Sequence, residues 1–164
     1  MNKILLSLYK KLNFPNICFV HRDFHVQNLI RVKKSIGVID TQDALIGNPS
    51  YDLVSLIDDV RIKTSKKLKK KILNYYLSKM SKVHKFSEKN FIEDFNILSV
   101  QRNLKIIGIF ARLLKRDKKN KYFKLIPYTW QILESRINSN IFAELKHILD
   151  LNIKKNIRRK VLHK

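Results

Sequence analysis

The chain has 164 residues, and 35 Lys and Arg against 13 Asp and Glu give it a formal net charge of +22. That length has room for one domain, and 45% hydrophobic with 10% aromatic residues can bury a core, which excludes a disordered basic tail. Three Gly and three Pro exclude a collagenous or linker-like chain, and the single Cys18 excludes an internal disulfide or a cysteine-rich zinc site and points to a reducing compartment.

In chain order, Ile4, Leu5, Leu8, Tyr9 and Leu12 share one face of an opening helix. The apolar run in this opening segment is too short for a signal-peptide core, and no small-residue cleavage site follows it. Asn13 to Asn16 break the pattern, Ile17 to Val20 form a short buried strand, and His21 to Asn28 a polar loop. Leu29–Val32 and Ile36–Ile39 are β-rich runs joined by Lys33-Lys34-Ser35, which predicts a hairpin, and a loop with Gly47, Asn48 and Pro49 follows.

From Tyr51 the signals are helical. One segment runs to about Asp59, and a second, capped by Thr64 or Ser65, to about Met80. Ser87 caps a long third helix with Glu88 in its first turn, where the dipole favours an anion. Apolar on most sides in its second half, with Ile106, Ile107, Ile109, Phe110, Leu113 and Leu114, it is expected to be the central buried helix. Pro127 suits the first turn of a helix reaching about Ile137, and a last helix spans about Ile141 to Leu151. Residues 153–164 are expected to form a solvated basic tail. Trp130, Tyr75 and Tyr76 sit at helical spacings and are assigned to the core. The residues alone thus predict a mostly helical α+β domain, a small β element followed by a helical bundle.

The charge invites nucleic acid as a partner, but 26 of the 35 basic residues are Lys, and 21 Ile and 14 Asn accompany them. These three residues share A/T-rich codons, so genomic bias explains the excess, whereas base readers favour the Arg fork. A basic, non-catalytic nucleic-acid-binding module on the same fold is the alternative reading. The most apolar stretch, Ile106 to Leu114, is interrupted by Arg112 and is about half the ~20 residues of a membrane span. The expectation is a soluble, cytoplasmic protein with no membrane partner.

The stretch that carries chemistry is Phe19-Val-His-Arg-Asp-Phe-His-Val-Gln-Asn28, followed by Gly37-Val-Ile-Asp40. With a turn midway at Lys34, Asn28 entering the hairpin and Asp40 leaving it are expected side by side, about 5 Å apart. An amide oxygen and a carboxylate at one spot suit Mg²⁺. Asp23, on the loop leading to that spot, can accept a proton from an attacking hydroxyl.

The order His-x-Asp-(x)4-Asn, then a hydrophobic strand ending in Asp, resembles the catalytic segment of protein-kinase-like phosphotransferases. Asp40-Thr-Gln in place of Asp-Phe-Gly, the second histidine His25, and Gly47-Asn-Pro-Ser-Tyr-Asp-Leu53 resemble the aminoglycoside phosphotransferase family. Within it, Ile39-Asp-Thr-Gln-Asp-Ala-Leu-Ile-Gly47, Asp59-Val-Arg61 and Gln101 to Arg112 resemble bacterial kinases of the anomeric hydroxyl of N-acetylmuramate and N-acetylglucosamine, enzymes of cell-wall recycling.

The resemblance implies a protein-kinase-like C-lobe, a single domain over 1–164, and ATP- and Mg²⁺-dependent transfer to a sugar hydroxyl. It implies Asp23 as catalytic base, His21 and Arg22 as braces of the catalytic loop, Asn28 and Asp40 as holders of Mg²⁺ and the ATP phosphates, and Asp52 as the loop's anchor. Sugar contacts are implied for His25, Asp43, Asp59, Arg61, Arg102 and Asn103; for Asp43, Asp59, Arg61 and Arg102 buried ion pairing is the competing role. Only 20 residues precede His21, with no Gly-rich phosphate loop and no strand-borne Lys. The expectation is therefore a C-terminal lobe with little or no activity alone that binds ATP poorly, and three origins stay open: a truncated gene, a fragment, or one half of a split protein with a separately encoded N-lobe as its partner.

Overall fold

The computed structural model describes residues 1–83 and 87–159. It divides into two compact units. One runs from Leu12 to Phe95; the other joins Met1–Lys11 to the chain from Asn96 onward. The described residues are mostly helical, with two small two-stranded sheets.

In the Leu12–Phe95 unit, β1 (Cys18–Val20) pairs antiparallel with β4 (Leu45–Gly47), and β2 (Leu29–Val32) with β3 (Ser35–Val38). The predicted hairpin is present, but its turn is the two residues Lys33-Lys34, with Lys33 left-handed at φ 51°. Strand β4 is where the sequence predicted loop. Three residues are too few to show alternation, and Gly47 reads as a breaker. A Cβ at Gly47 would come within 3.0 Å of the Val20 side chain, so glycine permits the close strand approach.

Helix α2 (Tyr51–Ile57) starts where Asn48 accepts hydrogen bonds from the Ser50 amide and hydroxyl, both at 2.9 Å. Helix α3 (Lys66–Val83) is capped by Ser65, whose Oγ accepts from the Leu68 amide at 3.2 Å. Val20, Leu53, Val54, Ile57, Leu77, Phe91 and Phe95 make the core of this unit. Tyr76 stacks on Phe91, and its hydroxyl donates to the Pro49 carbonyl. Burial, reinforced by nearby Cys18 and Asp52, raises that hydroxyl's pKa and keeps it a protonated donor. Tyr75, assigned to the core from its spacing, is exposed; adjacent helical positions point about 100° apart, so only one of the pair reaches Phe91.

Helix α4 (Glu88–Asp117) begins at Ser87, whose hydroxyl accepts from the Asn90 amide, and it contributes residues to both units. The expected burial holds for its first half and only in part for its second: Phe91, Phe95, Ile97, Leu98 and Val100 are buried, as is Phe110, whereas Ile106, Ile107, Ile109, Leu113 and Leu114 stay partly exposed. Apolar density says that a face is suited to burial, not that another element covers it.

In the second unit, α1 (Asn2–Tyr9) contacts α6 (Ala143–Asn152), and Gln101 donates to the Leu5 carbonyl. Helix α5 (Ile126–Arg136), with Pro127 in its first turn, buries Trp130, Ile132 and Leu133. Part of the expected solvated tail is instead a packed helix. Lys155–Arg159 form a short helix, α7, packed on α5, and Arg158 is 2% exposed. Its guanidinium lies 4.9 Å from the Trp130 ring centre and pairs with Glu134 at 3.1 Å and Asp150 at 2.9 Å. Two carboxylates and an aromatic face offset the cost of burying that charge. The rest of the predicted tail, residues 160–164, lies outside the described residues. No helix among the described residues is long and apolar enough to cross a membrane.

Candidate functional site

The loop between β1 and β2 is held mainly through its backbone. Asp52, in the first turn of α2, accepts the His21 amide at 2.7 Å and the Arg22 amide at 3.0 Å, one with each carboxylate oxygen. A carboxylate there also suits the positive end of the helix dipole. His21 is 2% exposed, and its Nε2 donates to the Ile39 carbonyl at 2.8 Å, which joins the loop to the end of β3. Arg22 then turns through φ 73°, a left-handed conformation costly for a long side chain, and its Nη1 donates to the Asp43 carbonyl at 3.3 Å.

This geometry leaves Asp23 exposed while its backbone is fixed. The Asp23 carbonyl accepts both the His25 amide at 2.9 Å and Asn28 Nδ2 at 3.0 Å. Asn28 closes a single 3-10 turn, Val26–Asn28, and is buried. Because its amide nitrogen is committed to Asp23, its Oδ1 is the end left for a cation. Asp40 is exposed and left-handed at φ 62°.

The hairpin register differs from the expected one by a residue. Leu29 faces Val38, and the Ile39 amide donates to the Asn28 carbonyl at 3.1 Å. Asn28 therefore faces Ile39, and Asp40 stands one position further on. Two lysines, not three residues, make the turn, and this moves the register.

Among the described residues no three His, Cys, Asp or Glu side chains are placed to hold a metal ion. The amide oxygen of Asn28 and the carboxylate of Asp40 are hard donors of the kind Mg²⁺ takes; two such groups do not make an all-protein cage, and Mg²⁺ commonly keeps waters and shares its shell with substrate phosphates.

Among the residues assigned to sugar contacts, His25 is buried in the loop and Asp43 is exposed. Asp59 is 1% exposed and forms an ion pair with Arg61 at 2.8 Å. Arg102 and Asn103 lie in the other unit and are buried; Asn103 donates to the Ser99 carbonyl and hydroxyl one turn earlier in its own helix.

The sequence reading missed Asp94, which is fully buried. It accepts the Asn13 amide at 2.7 Å, Asn13 Nδ2 at 2.9 Å, the Phe14 amide at 3.0 Å and Asn48 Nδ2 at 2.8 Å. The only available signal was an Asp on the apolar face shared by Phe91, Phe95 and Leu98.

Residues 6–86, the stretch that contains this loop and hairpin, match the phosphotransferase enzyme family. They belong to it. Curated relatives extend the likeness over most of the chain. An N-acetylmuramate/N-acetylglucosamine kinase of Caulobacter vibrioides is 32% identical over 146 residues, covering 86% of this chain and 39% of the relative. A protein of the same name from Neisseria meningitidis is 42% identical over 132 residues, covering 77% of this chain and 38% of the relative. A third, from Pseudomonas aeruginosa, is 35% identical over 122 residues, covering 73% and 36%. The chain thus spans less than two fifths of the length of these relatives. Its likeness to phosphotransferases named for amino sugars agrees with the resemblance carried by the sequence motifs.

Proposed function

We propose that this chain supplies the catalytic-loop portion of a phosphotransferase that moves the terminal phosphoryl group of ATP to a hydroxyl of an amino sugar, N-acetylmuramate or N-acetylglucosamine. The observation that carries the reading is the double clamp on the loop: the Asp52 carboxylate on two successive amides, and Asn28 on the Asp23 carbonyl. A loop fixed by its main chain can hold one exposed carboxylate in a constant position, and phosphoryl transfer depends mainly on positioning and charge neutralisation.

In this reading Asp23 orients the acceptor hydroxyl and takes its proton as the phosphoryl group arrives. Asn28 and Asp40 would hold Mg²⁺, which when bound neutralises charge on the phosphates. His21 and Arg22 keep the loop in register with the end of β3 and with the segment after Asp40. The nucleotide-covering half comes from residues outside these 164, in the same or another polypeptide. Exposed apolar side chains beside the loop agree with this division: Phe19 and Ile46 face each other across β1 and β4, and the β2–β3 hairpin exposes Ile30 and Val32 on one face and Ile36 and Val38 on the other, so a covering half would bury part of them.

The test mixes or fuses the chain with the N-terminal portion of the Caulobacter relative and follows label from γ-labelled ATP. The reading expects a sugar phosphate on N-acetylmuramate or N-acetylglucosamine, abolished by chelation of Mg²⁺. Label that reaches neither sugar, with both portions folded, would refute it.

A further inference from the structure

Arg61 lies four residues beyond the end of α2 and is held at two points. Its backbone amide and its Nε both donate to Asp59 Oδ1, at 3.1 and 2.8 Å, and its Nη1 donates to Gln27 Oε1 at 3.3 Å. Gln27 sits in the 3-10 turn between Asp23 and Asn28, so the guanidinium is tied directly to the loop that carries the proposed base. The tie to Asp59 uses one oxygen only: Asp59 Oδ2 has no hydrogen-bond partner among the described residues. The pairing is therefore not the two-oxygen fork that would occupy both Nε and Nη2. Nη2 remains uncommitted among the described residues, and the side chain is 30% exposed. The adjacent acid, Asp58, is fully buried and paired with Lys69 at 3.1 Å. A fixed, partly exposed guanidinium with unspent donors beside a catalytic loop is organised for a planar oxyanion.

We infer that Arg61 recognises a carboxylate on the acceptor and so distinguishes an acidic amino sugar from a neutral one. This rests on the amino-sugar reading above. N-acetylmuramate carries a lactyl carboxylate that N-acetylglucosamine lacks, so the two sugars differ in the one group that Arg61 is suited to bind. Asp59 and Gln27 are positioning residues. Asp59 grips the guanidinium from its buried side, and Gln27 fixes its distance from the loop.

Calorimetric or NMR titration of the full 164-residue chain with each sugar tests the assignment. Wild type binds N-acetylmuramate more tightly, and added salt weakens that sugar selectively. Arg61→Gln weakens N-acetylmuramate about tenfold and leaves N-acetylglucosamine within about twofold. Because this change leaves a buried carboxylate unpaired, Gln27→Ala serves as the second variant. It keeps the Asp59–Arg61 pair and lowers N-acetylmuramate affinity by a smaller factor, again without moving the neutral sugar. Equal losses for both sugars, or no loss in either folded variant, would overturn the role of Arg61 while the amino-sugar reading stands. Binding of neither sugar by wild type would overturn that reading, and the role of Arg61 with it.

Discussion

Asp52 and Asp94 both spend their carboxylates on backbone amides, and this sets what their removal costs. Asp52→Ala strips the acceptor from the His21 and Arg22 amides. A charged acceptor for two amides is worth roughly 2–3 kcal/mol, and urea denaturation measures the loss. Asp94→Ala removes the acceptor of four hydrogen bonds in a fully buried setting and is expected to cost roughly 3–4 kcal/mol by the same measurement. The two differ in legibility. Asp52 follows a turn and opens a helix, where an acid is unsurprising from local sequence. Asp94 binds partners 80 and 81 residues away, and no local pattern announces such a contact.

At the scale of elements, the hairpin and the long helices were legible because β-branched runs, cap serines and apolar spacing are local signals. Ser65 and Ser87 cap the helices that they precede, and Pro127 opens α5. Strand β4 and helix α7 were not legible, since three and five residues carry too little periodicity. Helix α7 exists through its packing: Arg158 reaches Trp130, Glu134 and Asp150. The pH dependence of that clamp follows from Asp150, whose carboxyl is held below the usual carboxylate range by the Lys146 hydrogen bond first and by Arg158 as well. A lowered folded pKa means that the stabilisation is fully present above the ordinary carboxylate range and is lost as pH falls through the folded value. Hydrogen exchange at 155–159, corrected for intrinsic rates, should therefore be faster at about pH 3 than at about pH 6. Arg158→Ala should exchange fast at both; a wild type equally protected at both would show that Asp150 does not hold α7.

For the whole molecule, the family was legible as a resemblance of motifs: the order of His21, Asp23, Asn28 and Asp40, with His25, Asp40-Thr-Gln42 and Gly47–Leu53 beside it. The expected register was one residue off, because the turn was read as three residues rather than two. The net charge of +22 carries less meaning than its size suggests. Lys excess from codon bias predicts only weak, steeply salt-dependent nucleic-acid binding, with no saturable complex in fluorescence anisotropy near 0.15 M salt at micromolar protein; tight binding under those conditions would favour the basic-module alternative.

The central claim is that the clamped loop presents Asp23 to an acceptor hydroxyl. The most direct measurement is the phosphoryl-transfer rate of Asp23→Asn against wild type, each joined to the same nucleotide-covering portion, with folding and Mn²⁺ affinity checked in parallel. Loss of the proton acceptor is predicted to lower the rate at least ~100-fold while Mn²⁺ affinity stays near wild type, because Asn28 and Asp40 are untouched. An Asp23→Asn protein that transfers phosphate at the wild-type rate would contradict the account.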